Sequence, residues 1–379
     1  MTSSEKKSIG IVETKYFSYD KKIKLDSGKE LGPITLAYET YGVLNENKSN
    51  AILILHALSG SAHAAGYNDP GEKSPGWWDL YIGPGKAFNT DEYFIISSNV
   101  ISGCNGSTGP SSIDPETGKP YALSFPIITI NDMVRAQKIL VEHLGISKLF
   151  AVAGGSMGGM QALSWAVQYP DMVHSVVAIA TAARLSAQGI AFHEVGRQAI
   201  INDLNWLNGN YYGGQVPGSG LSLARMIAHI TYMSEETMHK RFGRNFQDKD
   251  ADTFSFKAEY MVESYLHHQG LKFVDRFDSN SYLYITRAID LFDLSTEYGG
   301  SLLPAFENVK SNFLVVSFTS DWLYTSSMNK DIVRALRANG KNVVYTDIET
   351  DKGHDSFLVE NAVMEKNISN FLKGQYAIL

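Results

Sequence analysis

The sequence predicts an α/β protein with a mostly parallel central sheet and an inserted helical segment. Short, continuous apolar runs recur along the chain and are typical of strands that are covered on both faces. Runs with helical spacing lie between them, and strand signals are absent from one long stretch between about residues 185 and 303. Strands that alternate with helices in this way form a mostly parallel sheet with helices on both faces.

The first elements are predicted to be strands. Residues 8–18 and 33–41 contain short runs that alternate apolar and polar residues, separated by the turn-rich KLDSGKELG, and such runs favour antiparallel strands at a sheet edge. The apolar runs at 51–55 (AILIL) and 93–97 (YFIIS) are each followed by a glycine-rich loop. These two runs therefore predict buried strands of the parallel sheet.

The middle of the chain predicts the order helix, strand, helix, strand. Apolar residues recur at helical spacing between Asn131 and Gly145, with Asn131 as the expected cap and Gly145 as the stop. LFAVAG at 149–154 predicts the next strand, and a helix that ends before Pro170 follows it directly. VHSVVAIA at 173–180 predicts another strand.

The alternation returns after the helical stretch. Its members are the strand NFLVVS at 312–317, a helix near 326–338, the strand NVVYTDI at 342–348 and a terminal helix. We therefore expect a core formed by residues 1–184 and 304–379. Residues 185–303 are expected to form a helical lid over the strand ends.

Composition restricts the possible partners and compartment. The net charge is −7, and no block of lysine or arginine stands out, which argues against a nucleic-acid or anionic membrane surface. Small molecules are the expected partners. The single cysteine, Cys104, excludes an internal disulfide framework, and the N-terminal MTSSEKKSIG lacks the apolar core of a signal peptide. We therefore expect a cytoplasmic protein.

A serine lies where the strand at 149–154 changes into a helix. Gly154, Ser156 and Gly158 form a G-x-S-x-G pattern, which can expose a serine hydroxyl on a sharp strand-to-helix turn. The pattern alone is weak, because a glycine-rich turn can contain an incidental serine. A β run that ends at Gly154 and a helix that begins at once after Ser156 favour a nucleophile.

A serine hydroxyl needs a base to remove its proton and an acid to orient that base. In the α/β-hydrolase fold the acid and the histidine follow the serine, each on a loop after a later strand. Asp321 lies directly after the strand NFLVV, and His354 lies directly after NVVYTDI. Because both positions are carboxyl ends of predicted parallel strands, we expect Ser156, Asp321 and His354 to form a catalytic triad.

An acyl-transfer site also needs donors for the negative oxygen of the tetrahedral intermediate. The backbone N–H of Met157, after the serine, is one expected donor, and the N–H of Leu58 in LILHALSGSAHAAG is the other. His56 and His63 in that loop are interpreted as residues that order it. The histidines form no H-E-x-x-H and the chain has no paired C-x-x-C, so we predict no metal.

Long stretches of this sequence resemble the homoserine O-acetyltransferase family of α/β-hydrolase-fold acyltransferases. The resemblance extends from about residue 10 to about residue 370. The runs that carry it are LILHALSGSAHAAG, PGWWDLYIGPGKAFNTDEYFIISSN, SGCNGSTGP, TINDMVRAQ, GGSMGGMQALSWAVQYPD, ARMIAHITY and GHDSFL. These blocks are far more specific than G-x-S-x-G.

The resemblance implies transfer of an acyl group from acyl-coenzyme A to the hydroxyl of homoserine, through an acyl-serine, in a ping-pong cycle that feeds methionine synthesis. It also implies a homodimer, with acetyl-coenzyme A as a co-substrate and no permanently bound cofactor. Related members transfer succinyl or other groups, and some accept serine. Two other classes remain open: a carboxylic ester hydrolase with the same triad, and a catalytically silent binding or scaffold protein.

The resemblance further implies which residues bind the amino acid. Arg225 and Tyr232 match residues that contact its carboxylate, and Asp355 matches one that binds its ammonium group. In LSLARMIAHITYMSEE these two carboxylate-binding residues share a helix face with His229, opposite an apolar face of Leu223, Met226, Ile227 and Ile230. The alternative interpretation of the polar face is a solvated surface.

Overall fold

The central feature of the fold is an eight-stranded sheet. The computed structural model describes residues 8–248, 254–256 and 259–377. The sheet strands are β1 (Lys15–Tyr19), β2 (Ile34–Tyr41), β3 (Ala51–Leu55), β4 (Phe94–Ser98), β5 (Leu149–Gly155), β6 (Val173–Ile179), β7 (Asn312–Phe318) and β8 (Val343–Ile348). Their order in the sheet is β1-β2-β4-β3-β5-β6-β7-β8. Two further pairs of short strands lie outside it, Ile23–Lys24 with Glu30–Leu31 and Ile82–Gly83 with Phe88–Asn89.

Six adjacent strands, from β4 to β8 across the sheet, run parallel to one another. β2 is antiparallel to both β1 and β4, so that the edge formed by β1 and β2 is an antiparallel hairpin-like unit. The predicted α/β-hydrolase fold with a mostly parallel sheet is therefore confirmed. Because the strands from β3 onward point the same way, their carboxyl ends meet at one edge of the sheet.

The helices flank the sheet and fill the stretch between β6 and β7. They are α1 (Ile130–His143), α2 (Met157–Gln168), α3 (Ala187–Ile201), α4 (Gly218–Tyr232), α5 (Glu235–Phe242), α6 (Met261–Val274), α7 (Ser279–Asp290), α8 (Ser326–Ala338) and α9 (Ala362–Tyr376). Short 3₁₀ turns cover Ala122–Ser124, Leu207–Gly209, Thr296–Tyr298, Pro304–Phe306 and Gly353–Phe357. Within the described part of residues 180–311, the named elements are helical.

The start of α1 differs from the prediction. The cap is Thr129, whose side chain accepts a hydrogen bond from the backbone N–H of Asp132, while the Asp132 carboxylate accepts one from the backbone of Thr129. This reciprocal pair is a capping box. Asn131, the predicted cap, lies inside the first turn, and its side-chain oxygen accepts a hydrogen bond from Ser164 on α2. The prediction was wrong because Thr129, two residues earlier, makes the capping box with Asp132 and so begins the helix.

The core has an apolar layer on each face of the sheet. Along β3, Leu53 and Leu55 pack into one layer, whereas Ile52 and Ile54 pack into the other. Successive side chains of a strand point to opposite faces, so a strand covered on both faces must be apolar at every position. This explains why AILIL is a continuous apolar run. None of the helices in the described residues combines the length and apolar character that a membrane span requires.

Candidate active site

The turn that carries Ser156 has an uncommon backbone conformation. Ser156 follows β5 directly and precedes α2, with φ 58° and ψ −124°. Non-glycine residues seldom adopt a positive φ, and holding one there costs about 1–3 kcal/mol. The backbone N–H of Ser156 donates to the carbonyl of Ile179 on β6 at 3.0 Å, which fixes the turn against the neighbouring strand.

Two glycines allow this turn to sit close to β3. A Cβ on Gly158 would lie 2.0 Å from the carbonyl oxygen of Leu55, and a Cβ on Gly154 would lie 2.6 Å from the same atom. Neither distance is possible for a real side chain. Glycine at both positions of G-x-S-x-G is therefore required by the approach of α2 to the end of β3.

Asp321 and His354 form a buried hydrogen-bonded pair. His354 lies in the 3₁₀ turn after β8, and its Nδ1 is 2.8 Å from Oδ2 of Asp321. The other carboxylate oxygen of Asp321 accepts the backbone N–H groups of Leu323 at 2.9 Å and Tyr324 at 2.8 Å. Burial by itself would lower the pKa of His354, but the charge and hydrogen bond of Asp321 and the charge of Asp355 outweigh it and raise this pKa.

Tyr324 connects the pair to the serine. Its hydroxyl lies close enough to Ser156 for the serine to oppose the burial that raises the pKa of Tyr324, and its ring centroid lies 5.0 Å from that of His354. The ring of Phe357 packs against His354 at 5.4 Å and also closely against Gly155. Phe357 therefore places His354 beside the turn of Ser156, and Asp321 is joined to His354 by its hydrogen bond. The region between these residues, at the carboxyl ends of β5, β7 and β8, is called the pocket.

Leu58 and Met157, the expected oxyanion donors, both belong to the same edge of the sheet. Leu58 is buried in the loop after β3, and Met157 is the first residue of α2. The side-chain amide of Gln161 donates to the backbone carbonyls of His56 at 3.1 Å and of Met157 at 3.3 Å. Burial lowers the pKa of His56 to about 4, and the neutral ring accepts the backbone N–H of Val100 at 3.0 Å.

Arg225 projects from α4 toward this loop. One of its Nη1 hydrogens is donated to Oγ of Ser59 at 3.3 Å, and its guanidinium lies 4.6 Å from the Phe273 ring centroid. Arg225 is buried, and its Nε has no hydrogen-bond partner in the described part of the chain. A buried guanidinium with an unused donor is suited to an anionic ligand.

Tyr232 and Asp355 lie between Arg225 and the histidine. The Tyr232 ring centroid is 5.5 Å from the Arg225 guanidinium and 6.0 Å from the His354 ring. Burial raises the pKa of Asp355, although positive charge at His354 and Arg225 acts in the opposite direction. A guanidinium, a phenol and a carboxylate therefore lie near His354. They belong to Arg225, Tyr232 and Asp355.

The polar face of α4 is the inward face. Arg225 and His229 are buried, whereas Leu223 and Ile230 on the opposite face are 51% and 37% exposed. The interpretation of the polar face as a solvated surface is therefore wrong. Its polar groups contact one another and the loops around the pocket, and the hydroxyl of Tyr265 forms a hydrogen bond with Nδ1 of His229 at 3.0 Å.

This geometry has known counterparts. The family model described as the alpha/beta hydrolase fold matches residues 50–360. A curated relative named homoserine O-acetyltransferase, from Methanohalobium evestigatum, is 58% identical over 370 residues, covering 98% of this chain and 75% of the relative. This chain belongs to the homoserine O-acetyltransferase family. The relative of the same name from Solidesulfovibrio magneticus is 55% identical over 370 residues, covering 96% of this chain and 93% of the relative.

Solved structures similar to this chain include members of the family and esterases. The crystal structure of homoserine O-acetyltransferase from Bacillus anthracis has a TM-score of 0.90 and 32% identity, covering 96% of this chain and 98% of that chain. The crystal structure of esterase E22 has a TM-score of 0.87, also at 32% identity, covering 96% of this chain and 100% of that chain. One architecture therefore carries two named activities.

Several residues of this family member's site were not found by sequence reasoning. Arg276 donates from Nη1 to the backbone carbonyl of Ser59 at 3.2 Å, and partial burial together with the charge of Arg225 lowers its pKa. Tyr324 and Gln161 contact the triad region through hydrogen bonds that no short motif specifies. Gln161 is one of three polar residues of α2, with Ser164 and Gln168, so its polarity did not single it out.

Proposed function

We propose that this protein transfers the acetyl group of acetyl-coenzyme A to the side-chain hydroxyl of L-homoserine, in methionine biosynthesis. The observation that carries the proposal is the buried Asp321–His354 pair, with its 2.8 Å hydrogen bond, next to the turn of the strained Ser156, since Phe357 packs against both. Membership of the family supports the choice of substrates, because its relatives at 55–58% identity bear the name homoserine O-acetyltransferase.

In the first half-reaction His354 Nε2 takes the proton of Ser156 as Oγ attacks the thioester carbonyl carbon. Asp321 accepts the hydrogen on Nδ1, so that Nε2 carries the lone pair. The negative oxygen that forms accepts the backbone N–H groups of Leu58 and Met157. When the carbon–sulfur bond breaks, the proton passes from Nε2 to the sulfur, and coenzyme A leaves Ser156 acetylated.

In the second half-reaction homoserine is the nucleophile. His354 takes the proton of its hydroxyl, the oxygen attacks the acetyl carbon, and Ser156 leaves with the proton returned by His354. The products are O-acetylhomoserine and the free enzyme. Acetyl-coenzyme A is a co-substrate in this cycle, and the atoms balance with no metal and no permanently bound cofactor.

The amino acid is proposed to bind through its two charges. Its carboxylate is assigned to the buried Arg225, which has an unused Nε donor among the described residues, and to the hydroxyl of Tyr232. Burial raises the pKa of Tyr232, so that it remains a neutral donor. The ammonium group is assigned to Asp355, whose own pKa is raised by burial and would fall again beside a bound cation.

The helical residues 185–303 are proposed to act as a lid. The ring of Phe192 on α3 lies 5.6 Å from Trp322, next to Asp321, and the Trp322 indole donates to the carbonyl of Met233 at 3.0 Å. The hydroxyl of Thr237 donates to the carbonyl of Asp351, near His354, at 2.6 Å. A lid that excludes water favours transfer to homoserine over hydrolysis of the acyl-serine.

A homodimer and a cytoplasmic location are also proposed. The apolar face of α4, represented by Leu223 and Ile230, is exposed in the single chain although its polar face is buried. α3 and α6 pack against α4, and they expose Val195 and Leu271. Exposed apolar residues on adjacent helices are typical of a subunit interface. The single cysteine suits a reducing compartment.

The test of the proposed function is a single-turnover experiment with acetyl-coenzyme A. Mass spectrometry is expected to find an increase of one acetyl group on the peptide that contains Ser156, and addition of homoserine is expected to remove it. Absence of the adduct, together with inertness toward a reactive serine probe, would instead indicate a silent binding protein. The Ser156→Ala variant is the control for acetylation at other sites.

A carboxylic ester hydrolase is the second candidate, because esterase E22 matches 96% of this chain at 32% identity. Release of coenzyme A with and without homoserine separates the two activities. Transfer predicts release that depends on the acceptor, whereas hydrolysis predicts turnover without it. Acetyl- and succinyl-coenzyme A, each combined with homoserine and with serine, then decide between the remaining family substrates by the same thiol assay.

A further inference from the structure

A chain of buried side-chain amides joins α1, α2 and the loop after β3. The indole N–H of Trp165 donates to Oε1 of Gln137 at 2.9 Å, and Nε2 of Gln137 donates to Oε1 of Gln161 at 2.6 Å. Nε2 of Gln161 then donates to the carbonyls of His56 at 3.1 Å and Met157 at 3.3 Å. These side chains are at most 1% exposed.

Trp165 sets the direction of the whole chain. An indole N–H is only a donor, so Gln137 must present its oxygen to it and its NH₂ group to Gln161. Gln161 must therefore present its oxygen to Gln137 and its NH₂ group to the two backbone carbonyls. A rotated amide would leave buried polar groups unpaired, which costs about 1–3 kcal/mol for each group.

The two carbonyls that Gln161 binds are next to the proposed oxyanion donors. The His56 carbonyl belongs to the peptide unit just before the one that holds the N–H of Leu58. The Met157 carbonyl belongs to the peptide unit just after the one that holds the N–H of Met157. Leu58 and Met157 are 99 positions apart in the sequence. One side chain therefore connects the loop after β3 to the first turn of α2.

We propose that Gln161 is a positioning residue that sets the separation of the Leu58 and Met157 N–H groups. It acts on the oxyanion through these amides and does not touch the substrate. Packing alone would not require an amide here, because a methionine fills a similar volume without polar groups to satisfy. The inference rests on the oxyanion roles assigned to Leu58 and Met157 under the proposed function.

The first variant is Gln161→Met, which keeps the length of the side chain and removes both donors. Removal of a whole oxyanion donor lowers kcat by about 10²- to 10³-fold, and a displaced donor retains part of its effect. We therefore expect kcat/KM for acetylation by p-nitrophenyl acetate to fall about 10- to 100-fold. This ester needs no homoserine and no coenzyme A, so the assay is independent of the acceptor.

A second measurement separates positioning from loss of stability. A trifluoromethyl ketone adds to Ser156 and forms a tetrahedral oxyanion, whereas coenzyme A binds without one. In Gln161→Met the Ki of the ketone is expected to rise by the same factor by which kcat/KM falls, and the Kd of coenzyme A is expected to stay within about twofold.

The matched control is Ser164→Ala on the same helix. Ser164 is also buried, and its hydroxyl bonds to Asn131 at 2.8 Å and to Gln168 at 2.8 Å, outside the amide chain. Its removal weakens the contact between α1 and α2 but leaves both carbonyls held by Gln161. We expect a lower Tm with kcat/KM and the ketone Ki within about twofold of the wild type.

The outcomes separate this inference from the proposed function. Parallel losses of kcat/KM and ketone affinity in Gln161→Met, with neither in Ser164→Ala, support the positioning role. Two results would contradict the positioning role: Gln161→Met keeps kcat/KM and the ketone Ki within about twofold, or kcat/KM falls while the ketone binds as before. In either case the triad proposal stands. A wild-type protein that is never acetylated on Ser156 would overturn both.

Discussion

At the scale of single residues, the chemistry depends on groups that are held by several contacts each. Asp321 uses one carboxylate oxygen for two backbone N–H groups and the other for Nδ1 of His354. Tyr324 contributes one of those N–H groups, and its ring also packs against His354 with the centroids 5.0 Å apart. The orientation of the histidine is therefore decided by the loop after β7.

Substitution of Asp321 by Asn is expected to reverse the tautomer of His354. The two backbone donors require the oxygen of the new amide, so its NH₂ group must face Nδ1, and the histidine proton moves to Nε2. Such a base cannot accept the serine proton, and kcat is expected to fall about 10⁴-fold, as a triad with the wrong tautomer does. Coenzyme A release in the presence of homoserine measures this.

The control for this prediction is Asp347→Asn on β8. The Asp347 carboxylate bonds to the hydroxyls of Ser317 and Ser326, each at 2.7 Å, and does not contact His354. We expect its kcat to stay within a few-fold of the wild type. Near-normal turnover of Asp321→Asn would remove Asp321 from the triad.

The pH dependence of acylation reports the charges around His354. The histidine acts as a base only when neutral, so kcat/KM falls as the pH drops below its pKa, which Asp321 and Asp355 raise above 6.5. Asp355→Asn removes one of these charges. The fall of kcat/KM on the acid side of its pH profile is therefore expected to occur at lower pH. p-Nitrophenyl acetate is the substrate, because it has no ammonium group that requires Asp355.

Asp351→Asn is the matched control for the pH profile. This carboxylate pairs with Lys240 at 2.9 Å, and its charge is not among those that shift His354. The acid side of its profile is expected to coincide with that of the wild type. If the acid side of the kcat/KM profile of Asp355→Asn stays in place or moves to higher pH, Asp355 does not raise the pKa of His354.

At the scale of elements, the junction of β5 and α2 is determined by close packing. α2 approaches the end of β3 so closely that the Leu55 carbonyl occupies the space where a side chain on Gly158 would be. The strained φ of Ser156 is retained because the surrounding strands and Gln161 hold both sides of the turn. Activity and stability are coupled at this junction.

Gly158→Ala is expected to destabilise the protein through this contact. The added Cβ would lie 2.0 Å from a backbone oxygen, which has no flexible end that can move aside. Overpacking of this kind costs about 1–3 kcal/mol or more of the free energy of unfolding. Denaturant unfolding followed by circular dichroism measures the change.

Gly374→Ala on α9 is the control, because a Cβ there meets no atom of the described chain within 4 Å. Alanine in a helix is more stable than glycine by about 0.5–1 kcal/mol, so this variant is expected to be as stable as the wild type or slightly more stable. Equal stability of the two variants would contradict the close approach of α2 to β3.

At the scale of the whole molecule, the helical residues between β6 and β7 have two different surfaces. Their inner surface supplies Arg225 and Tyr232 to the pocket and contacts the loops of Asp321 and His354. Their outer surface exposes apolar side chains, of which Leu223 is 51% exposed. The inner surface therefore covers the site, whereas the outer surface is free to form the contact of the proposed homodimer.

The double variant Leu223→Glu, Ile230→Glu is expected to separate the proposed homodimer. Two carboxylates on this face would be placed in an apolar contact without partners, which opposes association. Sedimentation equilibrium is expected to give twice the chain mass for the wild type and the chain mass for the variant. Val363→Glu, an equally exposed apolar position on α9, is expected to remain dimeric. A dimer that survives the double variant must use another surface.

Some elements could be predicted within a residue or two from local patterns. AILIL is β3 from Ala51 to Leu55, and the predicted helix near 326–338 is α8 from Ser326 to Ala338. Continuous apolar runs and helical spacing are local signals, and burial on both faces makes them strong. The inward face of α4 could not be predicted, because it depends on residues far away in the chain. The cap of α1 was predicted two residues too late although its signal, the pair of Thr129 and Asp132, is local.

The sequence by itself determined the order of strands and helices and the order of Ser156, Asp321 and His354, since periodicity and motif spacing are properties of neighbouring residues. It also determined the family, through long blocks of similar sequence. Only the tertiary structure decided that Arg225 faces inward, that Tyr324 packs against His354 and that Gln161 joins the loop after β3 to the first turn of α2. These contacts depend on distances between residues tens to more than a hundred positions apart, which folding alone establishes.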